Sequence, residues 1–225
     1  MIVTIHQPEH MPWPGFFHKM AQADQYVLLD TVQFETNYWQ NRNRIVTREG
    51  IECYLTVPVL TKGHTSCAIR DIKINNSEKW RKKYWGRMHN AYCRHPFWKD
   101  YCGELEQIVQ THYDFLFDIN MALIIFFRRI LSVSTPMLRA SELSVESCGT
   151  ALLVDLCRRC RASVYLSGPT GRSYMDMQQW DEAGITVRFH SFTPPVYPAP
   201  YYISGLSALD MVMLFGPESG KVIGL

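Results

Sequence analysis

"IHQPEHMPWPGFFHKMAQADQYVLLD", residues 5–30, is the stretch whose reading decides the fold. Residues 1–6, "MIVTIH", are a β-branched run suited to a buried strand. "GFFHKMAQA" (15–23) carries helical spacing, and "DQYVLLD" (24–30) is a second buried strand. Strand, tight turn, helix and strand make a βαβ unit, whose right-handed crossover sets the two strands parallel. Pro8, Pro12 and Pro14 fix φ and remove backbone donors, so the loop that carries His6 is stiff. Gly15 allows the backbone a close approach where the helix begins, and helix N-termini favour anions.

Beyond this unit the pattern changes twice. "IECYLTVPVL" (51–60) and "CAIRDIKI" (67–74) read as a strand pair joined by a hairpin loop at "TKGHTS" (61–66). From about residue 77 to 132 the periodicity is helical, with a capping start in "NNSEKW" (75–80) and a break at His95-Pro96. Alternation then returns. "TPMLRAS" (135–141), "ASVYLSG" (162–168) and "ITVRFHSF" (185–192) read as strands. "CGTALLVDLCRRC" (148–160) and "SYMDMQQWDEAG" (173–184) between them read as helices, the second stopped by glycine. Strands that alternate with helices predict a sheet covered on both faces. The expected fold is one α/β domain over residues 1–225: a single Rossmann-like, mostly parallel sheet with a β-hairpin and a helical insertion at about 77–132.

Composition removes some classes of function. A chain of 225 residues with a formal net charge of +2 is neither a polyanion nor a polycation, so overall charge decides nothing about nucleic acid. Its one short basic cluster, "WRKKYW" (80–85), reads as an exposed helix face. The most apolar run, "MALIIFF" (121–127), falls far short of the ~20 residues a membrane span needs. No basic, apolar and small-residue sequence of a secretion signal opens the chain. Seven cysteines, an odd number, are then expected as reduced thiols in the cytoplasm. Cys157 and Cys160 form a C-x-x-C near a helix end. Without a second pair this reads as one apolar-face and one surface cysteine, and no metal site is expected.

In open α/β sheets ligands sit beyond the carboxyl ends of the strands. His6, Asp30, Ser167 and Gly168 fall at such ends, so one rim is expected to gather them. His6 there has the chemistry of a general base, a donor or a ligand, or it simply caps its turn. His10 lies four residues on, but the intervening prolines exclude a helical H-x-x-x-H pair. "NYWQNRNRI" (37–45) brings Asn41, Arg42, Asn43 and Arg44 together after a strand end, donors shaped for carboxylate or phosphate. "YLSGPTGRSYMD" (165–176) turns from strand to helix through glycines, which can face an anion, though it matches no phosphate-loop motif.

The residues quoted, with "YLTVPV" (54–59) and "YPAPYYISGLSALDMVMLFG" (197–216), resemble the WbqC-like family over nearly the whole chain. The family's polar positions correspond here to His6, Gln7, Asp30, Gln33, Asn41, Arg42, Ser167, Gly168, Tyr174, Asp176 and Asp210. Where members usually have tyrosine, in H-Q-P-N-Y-L-P-W, this chain has His10, which leaves His6 as the lone catalytic histidine. The resemblance implies a cytoplasmic protein of bacterial surface-polysaccharide or natural-product biosynthesis, and names no cofactor and no oligomeric state.

The expected chemistry is acyl or aminoacyl transfer to an amine of an amino sugar or related small intermediate. His6 would act as general base with Asp30 beside it as a second catalytic group. Gln7, Gln33, Asn41, Arg42, Ser167, Gly168, Tyr174 and Asp176 would hold substrate. The donor would arrive activated as a thioester, an aminoacyl ester or an adenylate, aminoacyl-tRNA included. Two other readings stay open: nucleotidylyl or adenylyl transfer, and a non-catalytic partner in a biosynthetic complex.

Overall fold

The computed structural model of the protein describes residues 1–60 and 67–225. The proposed loop at 61–66 lies outside the described residues. The chain opens with β1 (Ile2–His6), α1 (Pro14–Ala21) and β2 (Gln25–Leu28), the βαβ unit expected from sequence. Pro14 sits in the first turn of α1, where its missing N–H costs nothing. An antiparallel hairpin follows, β3 (Arg42–Val46) with β4 (Glu52–Thr56). Three helices come next: α2 (Trp80–Tyr92), α3 (Trp98–Gln110) and α4 (Leu116–Ile130). The alternating third is β5 (Met137–Arg139), α5 (Gly149–Arg159), β6 (Val164–Ser167), α6 (Met177–Glu182) and β7 (Thr186–Phe189). Helices α7 (Ala208–Phe215) and α8 (Ser219–Val222) close the chain.

The five strands of the main sheet run in the order β5-β2-β1-β6-β7, and every pairing is parallel. From β1 the chain builds outward to β2 and β5 on one side, then returns to lay β6 and β7 on the other. The order therefore reverses between β1 and β6, and ligands of such sheets bind at that crevice. Successive side chains point to opposite faces, so each strand serves two cores. Tyr26 and Leu28 enter a large core with Phe16, Phe17, Phe126 and Phe127. Val27 and Leu29 enter a smaller one with Leu156, Cys157 and Trp180 beneath α5 and α6.

Four local expectations are corrected. The hairpin lies at 42–56 and not at 51–74, because its turn is set by Gly50 at φ +79°, a conformation glycine accepts freely. Residues 67–74 instead hold a 3-10 turn (Ile69–Asp71) and meet the 58–60 segment only at an isolated Val59–Ile74 bridge. Arg42 and Arg44 accordingly lie within a strand and do not follow one. Helix α2 begins at Trp80 without a side-chain cap. Cys160 is buried like Cys157, since α5 packs its last turn against the smaller core.

Candidate functional site

A cavity of about 310 Å³ opens at the carboxyl edge of the sheet where the strand order reverses. One lip is His6, the last residue of β1, and Gln7 after it. The other is Gly168, Thr170 and Tyr174, which follow β6. Tyr38, Trp39 and Gln40, from the segment entering β3, form a third wall. Glu9 and Lys19 line the interior.

His6 is held in one tautomer. Its Nδ1 lies 3.0 Å from the Gln7 carbonyl, which can only accept, so Nδ1 carries the proton and Nε2 keeps its lone pair. Burial and the Lys19 charge hold the imidazole well below its ordinary value, so it is neutral near pH 7. The carboxylate nearest to Nε2 is Glu9, whose Oε1 lies 3.8 Å away, a gap a substrate hydrogen can enter.

Glu9 and Lys19 are only 7% and 3% exposed, which is rare for ionisable side chains that form no ion pair with each other. Burial pushes the Glu9 carboxyl up to about 8, against the opposing pull of Lys19. Burial likewise lowers Lys19 to about 7, against the pull of Glu9. Lys19 Nζ donates to the Ile5 carbonyl at 3.3 Å, and Glu9 Oε2 is buried with no hydrogen-bond partner. Two groups of opposite type thus change protonation close to neutral pH beside a neutral imidazole, a layout common at catalytic sites. Gln7 and Gln40 are linked, Gln40 Nε2 donating to Gln7 Oε1 at 2.7 Å and Gln40 Oε1 accepting from the Glu35 N–H at 2.8 Å. The Gln7 amide N–H groups remain available to a ligand.

The cavity unites His6, Gln7, Gly168 and Tyr174. The other expected site residues are used structurally. Asp30 is fully buried and does not line the cavity. Its carboxylate accepts from Arg139 Nε at 3.0 Å, the Ser141 N–H at 2.9 Å and Ser141 Oγ at 2.7 Å, tying β2 to the end of β5. Gln33 forms an isolated bridge with Ala68. Asn41 donates to the Val57 carbonyl, and the Arg42 guanidinium lies over the Tyr54 ring at 4.5 Å. Ser167 is buried and donates to the Gly168 carbonyl. Asp176 caps α6 by accepting from the Gln178 N–H. Asp210 accepts from Tyr197 Oη at 2.7 Å within a separate hollow.

His10 is spent on packing. Asn120 donates through Nδ2 to the Gln40 carbonyl, so its Oδ1 faces His10 Nδ1 at 2.8 Å, and His10 Nε2 accepts from Tyr84 Oη at 2.7 Å. The N-terminus of α1 offers no anion seat either. The Trp13 indole covers Gly15 so closely that a Cβ there would meet the ring at 2.3 Å. Among the described residues no group of three His, Cys, Asp or Glu side chains could hold a metal ion, and no helix is long and apolar enough to cross a membrane.

Glu9, Lys19 and Gln40 escape sequence reasoning. The one available signal was Lys19, which stands between Phe16, Phe17 and Met20 on the apolar side of a short helix.

Fold and cavity together define a Rossmann-like α/β protein with a polar, half-enclosed cavity at its strand-order reversal. Within that class the chain belongs to the WbqC-like protein family, whose sequence profile matches residues 7–222. It is also similar to the uncharacterized protein Rv1507c of Mycobacterium tuberculosis (strain ATCC 25618 / H37Rv). The two are 30% identical over 191 residues, covering 84% of this chain and 82% of that one. No solved structure matches the chain.

Proposed function

We propose that the protein is a biosynthetic transferase that moves an acyl or aminoacyl group from an activated donor onto the amine of an amino sugar or related polar intermediate. The observation that carries this is the neutral His6 imidazole, its Nε2 lone pair kept free at the cavity mouth by the Nδ1–Gln7 bond. In such a reaction Nε2 takes the proton from the attacking amine as its nitrogen bonds the donor carbonyl. The Gln7 amide, with Lys19 when protonated, is available to the developing oxyanion. The donor's leaving group departs with the bonding pair, and Glu9, in its ionised form, is near enough to take the proton from His6. No covalent enzyme intermediate is required. The seven free cysteines agree with work in a reducing compartment such as the cytoplasm.

The test is product formation, followed by mass spectrometry, from a panel of acyl thioesters, aminoacyl esters and adenylates with amino-sugar acceptors. General-base catalysis contributes ~10²–10⁴-fold, so His6→Gln should lose at least ~100-fold in kcat with an unchanged melting temperature. Undiminished turnover by a folded His6→Gln protein would remove the base role. No turnover with any donor, combined with ligand binding that His6→Gln leaves intact, would favour a non-catalytic partner.

A further inference from the structure

A second feature lies across the molecule's helical side. Lys83 and Arg87 lie four residues apart on one face of α2, ~6 Å from each other, and Lys79, the residue that precedes the helix, lines the same hollow. Opposite them stand Tyr54 and Thr56 of β4, and the hollow between holds about 390 Å³. Arg87 is shared with a second hollow of about 310 Å³ that includes Arg48, and Arg48 with a third of about 270 Å³ that includes Arg94 and Tyr201. The three join end to end. Helix α2 alone, from Trp80 to Tyr92, rises ~18 Å, longer than a single nucleotide or nucleotide sugar.

The charge balance of this groove is positive. Lys79, Lys83, Arg48 and Arg94 have no ion pair among the described residues, and Arg87 donates to the Tyr54 carbonyl at 2.9 Å. Three acids border it, Glu78, Glu49 and Asp210, against five cations; Glu78 accepts from Asn75 and Asp210 from Tyr197. Its walls are also aromatic: Tyr54, Trp80 and Tyr84 in the first hollow, Tyr201 in the third. Trp80 is 7% exposed and its indole N–H is buried with no acceptor, a donor that a ligand can satisfy. A chain-wide net charge of +2 conceals this concentration of cations on one element.

Cations spaced along a groove with interleaved aromatic faces match a strand of phosphates with unstacked bases. We propose that the α2–hairpin groove binds a single strand of nucleic acid, with Lys79, Lys83, Arg87, Arg48 and Arg94 following the backbone and Tyr54 or Tyr201 receiving a base. The groove is independent of the cavity chemistry. If transfer occurs as proposed above, the strand would be the carrier of the activated donor, because the β3–β4 hairpin continues directly into the Trp39–Gln40 wall of the cavity.

The test is fluorescence anisotropy with a labelled eight-nucleotide RNA ending in CCA, read at several potassium chloride concentrations without any turnover. Expected is binding with a log–log salt slope of about −2 to −3, as three or four neutralised phosphates give on a single strand. The charge reversal Lys83→Glu with Arg87→Glu should weaken it at least ~30-fold and flatten the slope. Tyr54→Ala should weaken it ~5-fold or more while the slope stays. Because Arg87 braces the hairpin, Lys79→Glu with Lys83→Glu repeats the charge test without it. No binding at 50 mM salt by the folded wild type overturns the proposal, as do undiminished binding by both charge-reversed proteins and preference for the duplex. Displacement by inorganic polyphosphate at equal phosphate concentration, with Tyr54→Ala unaffected, also overturns it, since the groove would then be a plain anion site. Binding read in this way is decided separately from the His6 transfer test.

Discussion

Glu9 and Lys19 are ionisable groups whose burial costs the fold stability. The Glu9 carboxyl is raised from 4.5 to about 8, so the fold favours its protonated form. The stability tied to that proton is fully present below pH 4.5 and is lost as pH rises through 8. Glu9→Gln, which mimics the protonated acid, should therefore stabilise the protein by roughly 1–3 kcal/mol at pH 8.5 and do little at pH 4.5. Urea titrations at the two pH values read this directly, and the same variant should turn over more slowly. Asp30 is held by direct hydrogen bonds and serves the fold. Asp30→Ala leaves the Arg139 and Ser141 donors without their acceptor and should cost roughly 2–4 kcal/mol. Its effect on kcat in the surviving folded fraction should be small. His6 and Gly168 were legible from sequence because strand ends announce themselves through apolar runs that stop. Asp30 obeyed the same rule and yet turned to a neighbouring strand, since which way an end residue faces depends on β5, more than a hundred residues away.

The turn after β6 shows how an element holds a site open. Gly168 has open space around it and faces the cavity. Gly171 is packed so tightly that a Cβ would meet Ser167 Oγ at 2.2 Å and the Met175 methyl at 3.0 Å. Gly171→Ala should push Ser167 and the Tyr174 end of the turn outward, destabilising by roughly 1–3 kcal/mol and raising KM more than it lowers kcat. Gly168→Ala, with room for its methyl, should leave stability within about 0.5 kcal/mol. Thermal unfolding and steady-state kinetics separate the two. At this scale the parallel strands and helices could be read from periodicity, since each buries a whole face. The hairpin could not. Its strand "RNRIV" carries asparagine and arginine at alternate positions, and its real turn signal, Arg48-Glu49-Gly50, looks like an ordinary polar stretch. Asn43 belongs inside because its amide donates to the His10 and Met11 carbonyls, a tertiary use that no local pattern foretells.

For the whole molecule the buried histidines set the acid limit. Burial lowers His10 from 6.5 to about 4, against the raising effect of its Asn120 bond, and His190 also to about 4. Both are neutral in the fold, so their contribution is complete above pH 6.5 and is lost as pH falls from 6.5 towards 4, where the unfolded chain takes up protons first. For His10, which has no solvent exposure, the loss should approach about 3 kcal/mol. A urea midpoint that falls steadily from pH 7 to pH 4 checks this, and one that stays level contradicts it.

The reversal of strand order between β1 and β6 also sets a timetable. Of the five strands of this sheet the central one, β1, is made before the others, and one of its two neighbours, β6, begins about 160 residues later. Contacts so distant in sequence close late and slowly. The two lips of the cavity, His6 and Gly168, therefore meet only when most of the chain is already in place. In refolding from urea, helical signal should return before hydrogen-exchange protection of β1 and β6 does, and the cavity should be incomplete until β6 has docked.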